Sequence, residues 1–257
     1  MPRWNAGEGL RVVLVNTRNP LNIGAAARAM SNFGFEHLRV VSPYELAFRE
    51  ARSAVGAAPL LAKAEEFRSV AEAAADCSLV VGTTALSRRN PEQRVLDLAE
   101  GAALIRRRMA VGSVALLFGS EKRGLANEDL SHCHWLLRIP TQEAHCSMNL
   151  GQAVAVCLYE VARDARPVLK PEKTVSATSA SLERVTSVLL DVLHASGYLK
   201  TPSGKIGKRR PAAPADEKMR RLVRRLNLSE ADAELFLGML RQILWKLDPT
   251  GETDLRK

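Results

Sequence analysis

Five short, almost continuously apolar runs recur through the first 165 residues, and they constrain the fold more than any other feature. They are Leu10 to Val15, His37 to Val41, Ser78 to Gly82, Val114 to Phe118 and His134 to Ile139. Runs of strand length that lack a polar alternate face are expected where helices cover both sides of a sheet. Two helix-length segments fit that role: the alanine-rich stretch Ile23 to Phe33, and Leu150 to Ala162. Together they predict an α/β fold with a mainly parallel sheet. At 257 residues the chain has room for one or two domains of about 100–200 residues each.

The pattern changes at Arg166-Pro167, where prolines and small polar residues run to Ala180 as a linker. The reading therefore divides the chain into a sheet domain over residues 1–165, a linker over 166–180 and a basic helical extension over 181–257. In the extension, Leu182, Val185, Val188, Leu189, Val192 and Leu193 recur at helical spacing, and Gly197 stops that helix. Ser229 is placed to cap a second helix over Glu230 to Leu247. Its apolar face is expected to comprise Leu235, Phe236, Met239, Leu240, Ile243 and Leu244.

The net charge is +9, which favours a polyanionic partner, nucleic acid before a membrane surface. The excess is uneven: Lys200 to Arg225 alone holds 10 basic and 2 acidic residues. Within it, Lys205 to Arg210 is glycine-bearing. Arg220, Arg221, Arg224 and Arg225 fall at helical spacing, which reads as a phosphate-tracking face. No run reaches the roughly 18 apolar residues of a membrane span, and the start has no apolar signal region. Cys77, Cys133, Cys146 and Cys157 show no pairing motif, so reduced thiols in a cytoplasmic protein are expected.

Three loops carry possible chemistry. Asn16 to Gly24 joins the first strand to a helix bearing Arg28, about one turn beyond Gly24 and so near the helix mouth. Gly119 to Leu125 leaves a strongly apolar strand with two glycines and the mixed charges of Glu121, Lys122 and Arg123. Pro140 to Asn149 leads into a helix that Ser147 or Asn149 could cap. None is a G-x-G-x-x-G fingerprint or a Walker A loop, which disfavours a nicotinamide dehydrogenase. His132, Cys133, His134, His145 and Cys146 lack zinc-ligand spacing, so no metal is expected. No G-x-S-x-G elbow is present for a Ser-His-Asp hydrolase.

In their order, Asn22 to Arg28, Gly119 to Leu125 and Ser147 to Ala153 resemble the three motifs of the SPOUT RNA methyltransferases. Within that superfamily the chain is similar to the TrmH-like ribose 2′-O-methyltransferases. Its helical extension also resembles the layout of the TrmJ type, which acts on tRNA at anticodon-loop residue 32. Met148 stands where the family more often has Leu, and Gly151 where Ser or Ala is usual. Both departures read as conservative in a loop that binds through its backbone.

The resemblance implies a C-terminal trefoil knot in the sheet domain and S-adenosylmethionine as cofactor. Thr83, Thr84, Ala85, Gly119, Ile139, Cys146, Ser147 and Met148 would hold it, largely through backbone groups. Arg28, Glu121, Ser147 and Asn149 match the family's polar motif residues. A guanidinium stays protonated at neutral pH and so cannot act as a base, and Arg28 is expected to stabilise a developing ribose oxyanion. The resemblance also implies a homodimer and tRNA as partner, with cytidine or uridine as the base. The rival expectations are an rRNA or other-position tRNA methyltransferase and a knot-fold RNA-binding protein without catalysis.

Overall fold

The computed structural model describes residues 6–42, 58–85, 91–142, 146–163, 175–199 and 214–247. Seven strands form one sheet in the order β3-β2-β1-β6-β4-β7-β5. They are β1 (Leu10–Val15), β2 (His37–Val41), β3 (Glu65–Phe67), β4 (Leu79–Thr83), β5 (Val95–Asp97), β6 (Val114–Phe118) and β7 (Trp135–Arg138). Every pairing is parallel. The five strands expected from apolar runs are the five inner ones. The two edges, Glu65-Glu66-Phe67 and Val95-Leu96-Asp97, carry no such run, because an edge strand needs no apolar cover on both sides.

Side chains of the central strands alternate between two cores. Leu10, Val12, Leu14, Leu116 and Phe118 face one; Val13, Val15, Ala115 and Leu117 face the other. The first core is closed by α2 (Pro20–Phe33), α3 (Ala58–Ala62), α5 (Leu98–Met109) and α7 (Leu150–Arg163). The second lies under α4 (Val70–Ala73) and α6 (Asn127–Ser131). A one-turn helix, α1 (Ala6–Gly9), leads into β1. Full burial of each Val or Leu contributes roughly 1.5–3 kcal/mol, so these cores dominate the stability of the sheet unit.

Helix α2 starts three residues before the expected Ile23. Asn19 caps it, its side chain accepting from the Leu21 N–H, and Pro20 supplies a preset first helical φ. Asn22 and Gly24 therefore stand in the first turns of the helix and not in the strand-to-helix turn. The helix ends at Gly34, whose φ of 77° is the left-handed conformation that glycine adopts without penalty.

The extension packs α8 (Ser179–Ala195), α9 (Pro214–Arg225) and α10 (Glu230–Leu247) around Leu182, Val185, Val223, Leu237, Leu240 and Leu244. Helix α8 begins two residues before expectation, with Thr178 accepting from the Ser181 N–H, and Gly197 follows its end at φ 75°. The expected linker is described only from residue 175, where Val175 and Ala177 bond to Glu230 and Leu228. The rest of it, Lys205 to Arg210 and His145 lie outside the described residues.

Two expectations for the extension are corrected. The buried face of α10 is Ala233, Leu237, Leu240 and Leu244, with Phe236 partly covered; Leu235, Met239 and Ile243 are exposed. A helix this apolar carries two stripes, and periodicity cannot say which one a neighbour covers. The arginine face of α9 likewise turns inward. Arg224 is buried, with Glu183, Ser179 and the His132 carbonyl as acceptors. Arg220 donates to Glu183 and Ser131, and Arg221 to Glu92. Of the four, only Arg225 is exposed, so this face docks the extension and does not track phosphates.

Candidate active site

Strands β6, β4 and β7 are adjacent, so the segments leaving their carboxyl ends meet at one edge of the sheet. This is where open parallel sheets place ligands. The segments enclose a cleft of about 490 Å³, within the usual range for small-molecule sites of about 300–1,000 Å³. Thr83, Thr84, Ala85, Gly119, Ile139, Cys146, Ser147 and Met148 all line it. Phe118, Leu125, Leu130, Leu137 and Leu150 complete the wall. Sequence reasoning missed these apolar members, because nothing local separates them from core residues.

Local geometry explains the residue types. The loop after β6 closes on itself: the Gly124 N–H donates to the Ser120 carbonyl at 2.8 Å, and Gly124 has φ 65°. A Cβ at Gly119 would lie 2.0 Å from the Gly124 carbonyl carbon, so that glycine is required by the loop's own closure. The Thr83 hydroxyl donates to the Leu117 carbonyl at 2.9 Å, and the Thr84 N–H to the Leu137 carbonyl at 3.0 Å. These bonds fix the β4 exit between its two neighbours. On the third side, the Thr141 hydroxyl donates to the Cys146 carbonyl at 3.4 Å.

The three motifs are joined by one side-chain chain of hydrogen bonds. Asn149 Nδ2 donates to Asn22 Oδ1 at 2.8 Å, and Asn22 Nδ2 donates to Glu121 Oε1 at 2.8 Å. Asn149 Oδ1 also accepts from the Gly151 N–H at 2.9 Å, so it caps α7 while reaching the first motif. Asn22 is buried and was not singled out from sequence, although its loop was. The link runs across 99 residues to Glu121 and 127 to Asn149, a separation that no local pattern reveals.

Glu121 and Ser147 line the cleft and are exposed at its mouth. Arg28 does not stand near a helix mouth. It is exposed on the third turn of α2, because the helix starts at Pro20, and it is absent from the cleft lining of its own chain. Gly151 lies in the first turn of α7, not in the loop. A Cβ there would come within 2.5 Å of Ala25 Cβ, so here the glycine is a packing requirement between α7 and α2.

The remaining motif candidates are engaged elsewhere. His132 Nδ1 faces Glu183 at 3.2 Å. His134 is partly buried, its ring accepts from the Val80 N–H, and desolvation pushes its pKa down to about 3. Burial pushes the thiols of Cys77, Cys133 and Cys157 up to about 12, whereas Cys146 is partly open to the cleft. No helix among the described residues is long and apolar enough to cross a membrane.

Residues 9–159 match the model of the SpoU rRNA methylase family. The chain is 37% identical to the tRNA (cytidine/uridine/adenosine-2′-O-)-methyltransferase TrmJ of Pseudomonas aeruginosa (strain UCBPP-PA14), covering 91% of this chain and 93% of that protein. It is 32% identical to the tRNA (cytidine/uridine-2′-O-)-methyltransferase TrmJ of Sodalis glossinidius (strain morsitans), covering 91% of each. Among solved structures, it is similar to TrmJ from Z. mobilis ZM4, with a TM-score of 0.75 and 28% identity over 91% of this chain and 98% of that one. A methylase family protein from Neisseria gonorrhoeae aligns at a TM-score of 0.64 and 26% identity, covering 73% of this chain and 97% of that one.

Proposed function

This chain belongs to the SpoU methylase family, and on that premise we propose that it is an S-adenosylmethionine-dependent tRNA ribose 2′-O-methyltransferase of the TrmJ type. The single observation that carries the reading is the convergence of all eight expected cofactor residues on one cleft. We assign the substrate position to anticodon-loop nucleotide 32, with cytidine or uridine accepted, in the cytoplasm.

The cleft fits the cofactor on its own chemistry. Its apolar wall of Phe118, Leu125, Leu137 and Ile139 suits a flat heterocycle, and backbone amides from the three exit loops lie beside it. Glu121 at the mouth suits a cationic ligand. When bound, S-adenosylmethionine supplies an electrophilic methyl group on a sulfonium centre. Thr83, Thr84, Ala85, Gly119, Ile139, Cys146, Ser147 and Met148 hold and orient it, so positioning supplies much of the rate. The Asn149–Asn22–Glu121 chain keeps the three loops in register. β7 lies between β4 and β5, and the chain then returns to α7 on one face of the sheet. That placement supports a trefoil knot through these exits.

Arg28 stabilises the developing 2′-oxyanion, and the proton leaves to solvent or a phosphate oxygen. Its exposure supports a cleft completed in a homodimer. Leu21 (79% exposed), Ala25 and Arg28 form an outward stripe on α2, beside Tyr159 (53% exposed) on α7. Pairing across this stripe would cover its apolar members and bring Arg28 to the cleft of the other protomer. RNA approaches the same end of the sheet, where Arg18, Lys122 and Arg123 are exposed.

Incubation with radiolabelled S-adenosylmethionine and unmodified tRNA, followed by nuclease mapping, tests the reading. Label on a ribose at position 32 is expected. Arg28→Ala should abolish transfer, lowering it at least about 100-fold if oxyanion stabilisation is its role, while leaving cofactor affinity nearly unchanged. Label on rRNA alone would sink the tRNA assignment, and wild-type turnover in Arg28→Ala would sink the role of the arginine.

A further inference from the structure

One wall of the cleft stands on a helix too short to hold its own position. Leu125 and Leu130 line the cleft, and α6, which carries Leu130, is five residues long. So short a helix gains too few internal hydrogen bonds to offset its nucleation cost, and its place is set by what it packs against. That place matters to the neighbouring strands. A Cβ at Gly82 of β4 would come within 3.1 Å of Leu125 Cδ1 and 3.0 Å of Leu136 Cδ2. Any shift of α6 therefore reaches both the loop after β6 and the β4 exit, where Thr83 lines the cleft.

The extension supplies much of what fixes α6. A helix leaves its last carbonyls without partners of its own, and here side chains take them up. The Ser131 hydroxyl donates to the Glu128 carbonyl at 2.6 Å and accepts from Arg220 Nη1 at 2.9 Å. Arg224 Nε donates to the His132 carbonyl. Glu183, which accepts from both arginines, also meets His132 Nδ1 at 3.2 Å. On the other side, the buried Gln93 donates to the Leu130 carbonyl at 2.7 Å, and its neighbour Glu92 accepts from Arg221 Nε at 3.1 Å. Three arginines of α9 thus brace the end of α6 directly and its second support through residue 92.

We propose that Arg220, Arg221 and Arg224 are positioning residues for the cofactor cleft. Docking of α9 sets the place of α6 and, through Leu125 and Leu130, the affinity for S-adenosylmethionine. The three arginines do not line the cleft, so they act without touching the ligand. The inference rests on the methyltransferase reading and adds to it a part of the chain that tunes the site from outside. Such coupling is reciprocal: bound cofactor strengthens the docking of α9 by the factor by which docking strengthens cofactor binding.

Calorimetric titration of the full-length chain with S-adenosylmethionine tests the proposal. Arg220→Ala and Ser131→Ala should each raise Kd at least about fivefold, the lower end of a typical coupling between sites. The double variant should do little more than either alone, because both changes break the same contact. Arg225→Ala, exposed on the same helix, should leave Kd unchanged. With tRNA as acceptor, the variants should show a raised KM for the cofactor and an unaltered kcat at saturation. In the wild-type chain, saturating cofactor should slow amide exchange in α9 at least about fivefold. A seam that only adds stability predicts otherwise: fewer binding sites and a lower kcat, with Kd unmoved. That result would overturn the proposal, as would unchanged amide exchange or fully additive effects at 131 and 220. A wild-type chain that binds no S-adenosylmethionine would overturn the methyltransferase reading itself, and this inference with it.

Discussion

The interior of the sheet unit and the seam that joins it to the helical extension solve the same packing problem by opposite means. Inside the sheet unit, elements meet through apolar side chains and missing ones. Gly101 of α5 admits Leu137 of β7, since a Cβ there would lie 2.2 Å from its Cδ1, and Gly151 of α7 admits Ala25 of α2. The seam between extension and sheet unit is instead polar. Arg224, with a side chain 0% exposed, meets Glu183, Ser179 and the His132 carbonyl, and Arg220 meets Glu183 and Ser131. Backbone bonds from Ser179 to Cys77 and from Ala180 to Ala75 complete it. Apolar contact is non-directional and tolerates sliding. A buried guanidinium with fixed acceptors holds one orientation, at the cost of desolvation. The extension is thus keyed to the sheet unit beside α6, one element from the loop that lines the cleft.

The largest test of this contrast removes one partner of the buried cluster. Arg224→Ala should cost about 3 kcal/mol, because it takes one cation from Glu183, which keeps Arg220 and His132, and leaves Ser179 and the His132 carbonyl without their buried donor. Urea unfolding should then split, with Trp245 reporting the extension before Trp135 reports the sheet. A single unshifted transition would mean that the seam contributes little.

Acid should reach the two regions through different groups. His134, beside β7, is held neutral by desolvation at a pKa of about 3 against an ordinary 6.5. The unfolded chain takes up this proton first, so stability is full above about pH 6.5 and drains below it. A loss on the order of 3 kcal/mol is expected by about pH 4. His132, also lowered by burial, loses in the same window. Glu183 behaves differently: burial would raise its pKa, but the His132 hydrogen bond, Arg224 and Arg220 hold it to about 2. Its contribution is lost only as pH falls from about 4.5 toward 2. Urea midpoints that stay flat between pH 7 and 4 would contradict these neutral histidines.

A smaller effect probes the close contacts of the sheet unit. Gly151→Ala should cost about 1–3 kcal/mol by overpacking α7 on Ala25, read as a shift in thermal midpoint. No change would show that α2 yields at this point. The smallest test concerns the extension's local polar anchors. Ser229 Oγ accepts from the Asp232 N–H at 3.1 Å while donating to its carboxylate, so Ser229→Ala should cost about 1 kcal/mol. A loss confined to the Trp245 transition would sharpen the distinction between the regions, and a loss in both would weaken it.

Much of the sheet unit was legible in advance. Its inner strands announced themselves by unbroken apolar runs, and the three motif loops by their order along the chain. The short edge strands did not, since they bury little. Arg220, Arg221 and Arg224 read as a nucleic-acid face because spacing reports that residues share a side of a helix, not what that side meets. The same blindness put Leu235, Met239 and Ile243 in the core of the extension, although a different stripe of the same helix fills it.

By itself, the sequence determined the five inner strands, the bodies of the helices that pack on them, the Ser229 cap and which three loops carry polar groups, because those properties follow from local periodicity and backbone chemistry. Only the tertiary structure decided that Asn22 joins Glu121 to Asn149, that Gly151 is a packing residue and that the arginines of α9 face inward. Each of these depends on two segments far apart in the chain arriving at contact distance. Such contacts are settled by how whole faces pack, and no window of neighbouring residues contains that information.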